Sequence, residues 1–456
     1  MNGKASGIGY RLLLLMSLII APGSSFAESL QHSLLPEIER KALLNGMQFL
    51  FFDGTDERVQ FLLMIKNGAA FDPSGKWGAT HLMLKMMIEG TRDQVLEREL
   101  GEREIEFDYF VDWDAIHFSG TAPAEHLNFA LSTLSDLVVR PVFEEEVFVR
   151  LRAQAIEEAK ADWERLESRT QLLFSEYLFQ KNPYGYPVNG TPETLQGLYL
   201  RDIKIQYRKL MIPNQAFLAV AFSGDREDLF RFQSRRWGAW VREKAAPFTF
   251  RKSVPPERPK ILLVNQENSE TSFLRWGYLG VARSSREFLV FKILEQYLTL
   301  WLPSWAEEIS ASSQIRGCPK LVERRMPGYL QVSLEAPADS ITSYYDKLRR
   351  SLAELRSGTI DEGRFEEAKQ LVVQELEGAF DDPVKQMKLI LGAELYGLGV
   401  NYISTLNLRL ERVTLEVFRE RLNELLPEGR FVMIVAGEAE ELEPFFANVG
   451  EVEVLN

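Results

Sequence analysis

The stretch GKWGATHLMLKMMIEGTRD, residues 75–93, decides how the rest of the chain is read. It begins in a turn-rich loop, FDPSGKWG at 71–78, punctuated by Asp72-Pro73 and Gly75. From about Ala79 to Ile88 the pattern is helical, and Gly90 stops it. This predicted helix carries one histidine, His81, and one lysine, Lys85. His81 and Lys85 are four residues apart and share one helical face.

Working outward, residues 57–66 (ERVQFLLMIK) read as a strand that Gly68 ends, and residues 28–52 read as polar and then helical. Downstream, 105–122 read as an aromatic-rich strand pair, and 124–141 and 144–168 as two helices. The loop NPYGYPVNG follows at 182–190, and QAFLAVAFSG (215–224) reads as a closing strand.

The second half echoes the first. FLLMIKNG at 61–68 has a counterpart in FLRWGYLG at 273–280, and EEAK at 157–160 recurs at 366–369. AFSGD at 221–225 is matched by VAGE at 435–438, and the three offsets are 212, 209 and 213 residues. Matches in one order at nearly one spacing predict a duplicated α+β domain of about 210 residues. The segment REKAAPFTFRKSVPPERPK (242–260), with Pro247, Pro255, Pro256, Pro259 and many charges, reads as a linker. The expected organisation is a leader at 1–27, a first domain at 28–241, a linker at 242–259 and a second domain at 260–456. Strands and helices mix without regular βαβ alternation, so α+β is expected rather than a doubly wound sheet. The dinucleotide fingerprint and the phosphate-loop pattern are both absent.

Composition excludes several classes. The 456 residues are 45% hydrophobic, 26% charged and 11% aromatic, which rules out a disordered chain, a collagen-like fibre and a small disulfide scaffold. A lone Cys318 excludes an intramolecular disulfide and Cys-rich metal sites. The formal charge of −13 argues against nonspecific nucleic-acid binding, which needs basic patches. Residues 1–27 carry a weakly positive head (Lys4, Arg11), an apolar run at 12–21, Pro22-Gly23 and Ser25-Phe26-Ala27. That is a secretory leader with cleavage expected after Ala27, its apolar run being too short to span a bilayer. The mature chain is expected to be exported, not membrane-spanning, and periplasmic if the source is Gram-negative. Of the four histidines, His117 reads as a strand residue, His126 as a helix residue and His32 as a surface residue, without metal-ligand spacing. No G-x-S-x-G nucleophile motif is present.

The 75–93 segment resembles the metal-binding helix of the insulinase/pitrilysin family of zinc metallopeptidases, which includes mitochondrial processing peptidase. In that family His-x-x-Glu-His supplies two zinc ligands and a general base, and a Glu about seventy to eighty residues downstream is the third ligand. The frame is present here in Gly78, His81, Gly90 and Thr91. Its chemistry is not: Leu84 stands at the general-base position and Lys85 at the second histidine. The third-ligand position falls on Glu158, within AIEEAK. Leucine cannot accept a proton from water, and an ammonium repels zinc. No metal and no cofactor are expected, His81 being a hydrogen-bonded core or cleft residue. A Lys85–Glu158 salt bridge is expected to fill the metal's place.

The resemblance runs through nearly all of the mature chain. It includes Gly68 with Asp72-Pro73, Leu100-Gly101, Asp114, NPYGYPVNGTPETL (182–195), Pro213-Asn214 and Gly224-Asp225. In the second half it includes ILLVNQ, AFDDPVKQ (379–386), ELYGLGVNYI (394–403), ERVTLEVFRERL (411–422) and VAGE. It implies two homologous domains per chain, forming half of a clamshell that closes with a second chain around a peptide chamber. Some family members grip substrate through an Arg and a Tyr of the second domain. The corresponding stretch here is about 303–317, PSWAEEISASSQIRG, where Arg316 and Tyr329 are out of register. The expected function is a noncatalytic subunit whose partner is a homologous zinc-binding peptidase chain. An edge strand near 103–120 would be open to an extended peptide. The alternative is an exported peptide-binding or scaffold protein with no active partner.

Overall fold

The computed structural model describes residues 38–55, 57–91, 94–309 and 316–456. The leader expected at 1–27, the start of the first domain, and residues 310–315 of the 303–317 stretch lie outside the described residues.

Two six-stranded sheets form the framework. The first holds β1 (Glu39–Ala42), β2 (Gln48–Phe52), β3 (Arg58–Ile65), β4 (Glu106–Val111), β5 (Ile116–Pro123) and β6 (Ala216–Ala221) in the order β1-β2-β6-β3-β5-β4. Its longer helices are α1 (Ala79–Glu89), α2 (Gln94–Glu102), α3 (Leu127–Val139), α4 (Glu145–Glu164), α5 (Leu166–Phe179), α6 (Leu200–Leu210) and α7 (Arg226–Trp237). The second sheet holds β7 (Lys260–Asn265), β8 (Thr271–Leu279), β9 (Arg316–Val322), β10 (Tyr329–Pro337), β11 (Val432–Gly437) and β12 (Glu451–Leu455) in the order β12-β7-β11-β8-β10-β9. With it come α8 (Phe288–Ile309), α9 (Ile341–Arg356), α10 (Glu362–Glu377), α11 (Pro383–Leu395), α12 (Leu415–Leu425) and α13 (Ala439–Phe446).

The two orders correspond strand for strand, and the repeated segments fall on equivalent elements. FLLMIKNG lies on β3 and FLRWGYLG on β8, EEAK lies on α4 and on α10, and the closing glycines follow β6 and end β11. In each sheet one inner pair is parallel, β2 with β6 and β7 with β11. The outermost strand breaks the symmetry: β1 precedes β2 and runs antiparallel to it, whereas β12 comes from the far C-terminus and runs parallel to β7. The fold is thus two homologous α+β halves, as expected.

Two readings are corrected. The helix expected toward residue 52 is instead the β1–β2 hairpin. Asn45-Gly46 supplies its turn, Gly46 lying at φ +94°, and the QFLFF run is buried on both faces, which suits an inner strand. The single helix expected at 144–168 is two, α4 and α5, separated at Arg165 by an extended backbone (φ −76°, ψ 118°).

That break has a structural purpose. Along β2, β3 and β6 alternate residues point to opposite faces. Phe49, Phe51, Phe61, Leu63 and Leu218 join the core with α1, while Leu50, Phe52, Leu62, Met64 and Ala219 join the core holding Leu391 and Leu395 of α11. So a second-half helix covers the first sheet. Reciprocally, α5 of the first half turns away at Arg165 and lays Leu173, Phe174 and Leu178 on Leu262, Val264, Val432 and Ile434 of the second sheet. This exchange buries apolar faces that neither half could cover with the same helices alone. Residues 241–259 form no helix or strand, and Phe248 and Phe250 pack edge-on against Phe71. Among the described residues no helix is long and apolar enough to cross a membrane.

Candidate functional site

The start of α1 is set by its preceding loop. Gly78 caps the helix at φ +93°, and a Cβ there would lie 2.8 Å from the Asn189 carbonyl oxygen. Gly190 faces it at φ +80°, where a Cβ would lie 2.5 Å from the Trp77 carbonyl oxygen. The 182–190 loop therefore docks directly on the N-terminus of α1, reinforced by stacking of Trp77 on Tyr186 at 4.1 Å. Buried Asp72 accepts from the backbone N–H groups of Gly78 (2.9 Å) and Thr80 (3.0 Å), satisfying donors that a helix start leaves open. The Thr80 hydroxyl and Gln206 Nε2 donate to the same carboxylate, which burial pushes up to about 7. At the other end Gly90 is right-handed, not a left-handed cap. It is small because a Cβ would lie 2.5 Å from the Val142 carbonyl oxygen, and the Thr91 hydroxyl accepts from Val142 N–H at 3.0 Å.

On α1, His81 and Lys85 project toward α4, while Leu84 turns into the core with Met83, Met87 and Leu151. Lys85 Nζ donates to both oxygens of Glu158, at 2.8 and 3.0 Å, and Gln154 Nε2 donates to Glu158 at 2.8 Å. The salt bridge read from the sequence is therefore present. Burial pushes the Glu158 carboxyl up, but the Lys85 and Gln154 hydrogen bonds outweigh it and hold it below its ordinary value. His81 is half-buried and, among the described residues, makes no hydrogen bond, a departure from the hydrogen-bonded role expected of it. Burial first and the neighbouring Lys85 ammonium second pull its imidazole down to about 4, so it is neutral at physiological pH. The fold thus brings His81, Lys85 and Glu158 together and removes Leu84 from them.

These residues do not fit a zinc ion. They offer one imidazole and one carboxylate already engaged by an ammonium, against the three anionic or neutral ligands that a catalytic zinc needs. Among the described residues no three His, Cys, Asp or Glu side chains converge as a metal site.

Among the described residues β4 forms the edge of the first sheet and pairs only with β5. A groove of about 570 Å³ runs between this edge and α11, lined by Phe107, Phe110, His117, Leu391 and Tyr396 among others. Phe110 is 53% exposed in it and stacks on His117, which lies 3.2 Å from Asp112.

Comparison with known proteins places this geometry. Residues 52–192 match the family model described as insulinase (peptidase family M16). That segment, which holds α1 and Glu158, resembles the peptidase domain of that family. An uncharacterized zinc protease of Bacillus subtilis (strain 168), YmxG, is 23% identical over 252 residues, which cover 54% of this chain and 59% of that protein. The match therefore spans well under two thirds of that relative. A protease from Helicobacter pylori has the same fold at a TM-score of 0.80 and 14% identity, over 88% of this chain and 100% of that one. A peptidase M16 inactive domain from Pseudomonas fluorescens aligns at 0.77 and 16% identity, over 88% and 98%. The first half of the periplasmic protease PqqL from Escherichia coli aligns at 0.73 and 15% identity, over 90% and 94%. The two-sheet architecture is that of the M16 clamshell half.

One cluster of this M16-type fold was not assembled by sequence reasoning. Buried Asp114 accepts from the Tyr184 hydroxyl (2.5 Å) and from Arg325 N–H (2.9 Å), tying the end of β4 to the β9–β10 turn. Arg324 lies over the Trp113 ring at 4.3 Å. Asp114 and the 182–190 loop are visible in the sequence as separate features. Their shared partner lies over 130 residues away, in a turn that carries no local signal.

Proposed function

We propose that this chain is a noncatalytic partner subunit of an exported zinc peptidase of the same fold. It lines half of a peptide chamber opposite a homologous chain with an intact His-x-x-Glu-His set, as the small subunits of mitochondrial processing peptidase-like enzymes do. The observation that carries the reading is the Lys85 ammonium on Glu158, at the positions where the family places the second histidine and the third ligand. It stabilises the helix pair without a metal. Likeness to the Pseudomonas fluorescens inactive domain supports the noncatalytic role, and likeness to the first half of periplasmic PqqL, with the leader at 1–27, supports export. We assign the domains to 28–241 and 260–456, joined by 242–259.

The deciding experiment co-expresses this chain with a homologous zinc-binding chain and follows peptide cleavage after size exclusion. Co-elution, with cleavage only by the pair and lost when the partner's general-base Glu is changed to Gln, is the expected result. Cleavage unchanged when this chain is omitted refutes it. A second reading, a peptide-holding protein without an active partner, is favoured by one observation: the β4 edge and its groove are built from this chain alone. Isolation as a monomer that binds extended peptides, with no co-eluting homologue, selects that reading.

A further inference from the structure

A second cavity, of about 900 Å³, lies between the first turns of α5 and the outer strands of the second sheet. Its wall holds Arg275 on β8, directly across from Ser333 on β10. Arg275 is 4% exposed, and among the described residues no carboxylate lies within ion-pair distance of it. Glu335 and Glu167 line the same cavity without reaching it, and Lys320 adds a second cation. A buried guanidinium with no counter-ion is costly, and native folds keep one where something else compensates it. Burial pulls Arg275 down to about 10, which leaves it a cation at neutral pH.

Its donors are unevenly used. Nη1 donates to Gln171 Oε1 (2.7 Å) and to Ser333 Oγ (3.1 Å). Nη2 has one long bond, to the Glu167 carbonyl at 3.4 Å, and Nε has no acceptor. Nε–H and one Nη2–H of a planar guanidinium lie on one edge, the edge that takes a carboxylate in two parallel bonds. Ser333 Oγ already accepts from Arg275 and from Gln331 Nε2 (3.1 Å), so its own proton is free to donate. Gln331 is likewise 4% exposed with its Oε1 unpartnered. At the opposite wall α5 begins without a side-chain cap, so its first N–H groups add a favourable field for an anion.

We propose that this cavity is a carboxylate-binding site, in which Arg275 and Ser333 anchor the C-terminal carboxylate or an acidic side chain of a peptide. The peptide source of that carboxylate rests on the peptide-holding reading given above. The anchor lies on the second sheet, away from the β4 edge, so it would fix one charged point of a chain whose backbone pairs elsewhere.

The test uses the purified full chain and three probes: N-acetyl-Ala-Ala-Ala with a free carboxylate, its C-terminal amide, and N-acetyl-Ala-Glu-Ala-amide. Calorimetric titration and thermal midpoints are read for wild type, Arg275→Gln, Arg275→Lys and Ser333→Ala. At least one carboxylate probe is expected to bind about ten- to a hundredfold more tightly than the neutral amide, the range of a charge-assisted bond. Which one binds identifies the source. Arg275→Gln erases the difference, Arg275→Lys keeps the charge but loses the fork and most of the affinity, and Ser333→Ala weakens binding several-fold. Equal binding of all three probes to wild type, or an unchanged preference in folded Arg275→Gln, overturns the site. If Arg275→Gln does not fold, an unchanged preference in both Arg275→Lys and Ser333→Ala overturns it as well. A separate titration with an extended uncharged peptide reports on the β4 edge. Its failure with carboxylate binding intact sinks the peptide-holding reading and leaves the anion site standing.

Discussion

Replacing Lys85 with Met isolates the ion pair that joins α1 to α4. The side chains of Lys85 and Glu158 are 15% and 43% exposed, so solvent screens the pair from the carboxylate side. Its worth lies between an exposed ion pair and a well-shielded charge-assisted bond, about 1 kcal/mol at pH 7. Met keeps the apolar stem in place, so the loss reports the charge. A double-mutant cycle of Lys85→Met with Glu158→Gln, followed by urea denaturation, should give a coupling of about 1 kcal/mol. The pH dependence sharpens the test. The His81 imidazole sits at about 4 in the folded chain, below its unfolded value. A group depressed in this way leaves stability intact at high pH. As pH falls from about 6.5 toward 4, the unfolded chain takes up a proton that the folded chain refuses, and up to about 3 kcal/mol is lost. Removing the Lys85 ammonium raises the His81 value, with burial still holding it below the ordinary one and Glu158 now unopposed. The penalty of Lys85→Met should therefore shrink between pH 7 and pH 5. With only four histidines in the chain, His81→Gln identifies the resonance, and NMR titration reads the shift directly. A coupling below about 0.3 kcal/mol, the ordinary error of additivity, with an unmoved His81 resonance would refute the reasoning.

Lys85→His should create a zinc site with His81 and Glu158, leaving Leu84 in the core. Zinc at a hundredfold over its dissociation constant should stabilise it by about 2–3 kcal/mol, wild type showing no shift and added Glu158→Gln abolishing it. Gly190→Ala combines a left-handed φ with a Cβ 2.5 Å from a backbone oxygen, and should cost about 2–4 kcal/mol in urea denaturation. Gly75→Ala, with a similar φ but open space around it, should cost only about 1 kcal/mol, and equal losses would show that close approach at Gly190 contributes nothing. Tyr184→Phe leaves a buried Asp114 oxygen without its donor and should cost about 1–3 kcal/mol, with an unchanged unfolding midpoint counting against a structural role for the tie.

The local patterns were legible. The α1 helix, its flanking glycines, the strand pair at β4 and β5, and the duplication are written in spacing that neighbouring residues enforce. The errors came where tertiary packing overrode that spacing. QFLFF, after a polar segment, reads as part of a helix until β1 and β6 are present on either side of it. WERLESRT contains no glycine or proline, yet the helix breaks at Arg165, because the apolar face of α5 finds its partner on the other sheet. Lys85 and Glu158 could be named together only through a resemblance. Their meeting requires α1 and α4 to pack side by side, which a one-dimensional pattern does not encode.

By itself the sequence determined that two copies of one α+β unit follow each other, and that Leu84 and Lys85, rather than a glutamate and a histidine, follow His81 on its helix. Residue identity and short-range periodicity suffice for both. Only the tertiary structure decided that α5 and α11 exchange sheets, that the ammonium and carboxylate are in bonding contact, and that Arg275 is buried with no acceptor for its Nε–H. Those facts depend on which faces meet across 73 residues or more of chain, and burial and pairing of charge are properties of the meeting rather than of either partner.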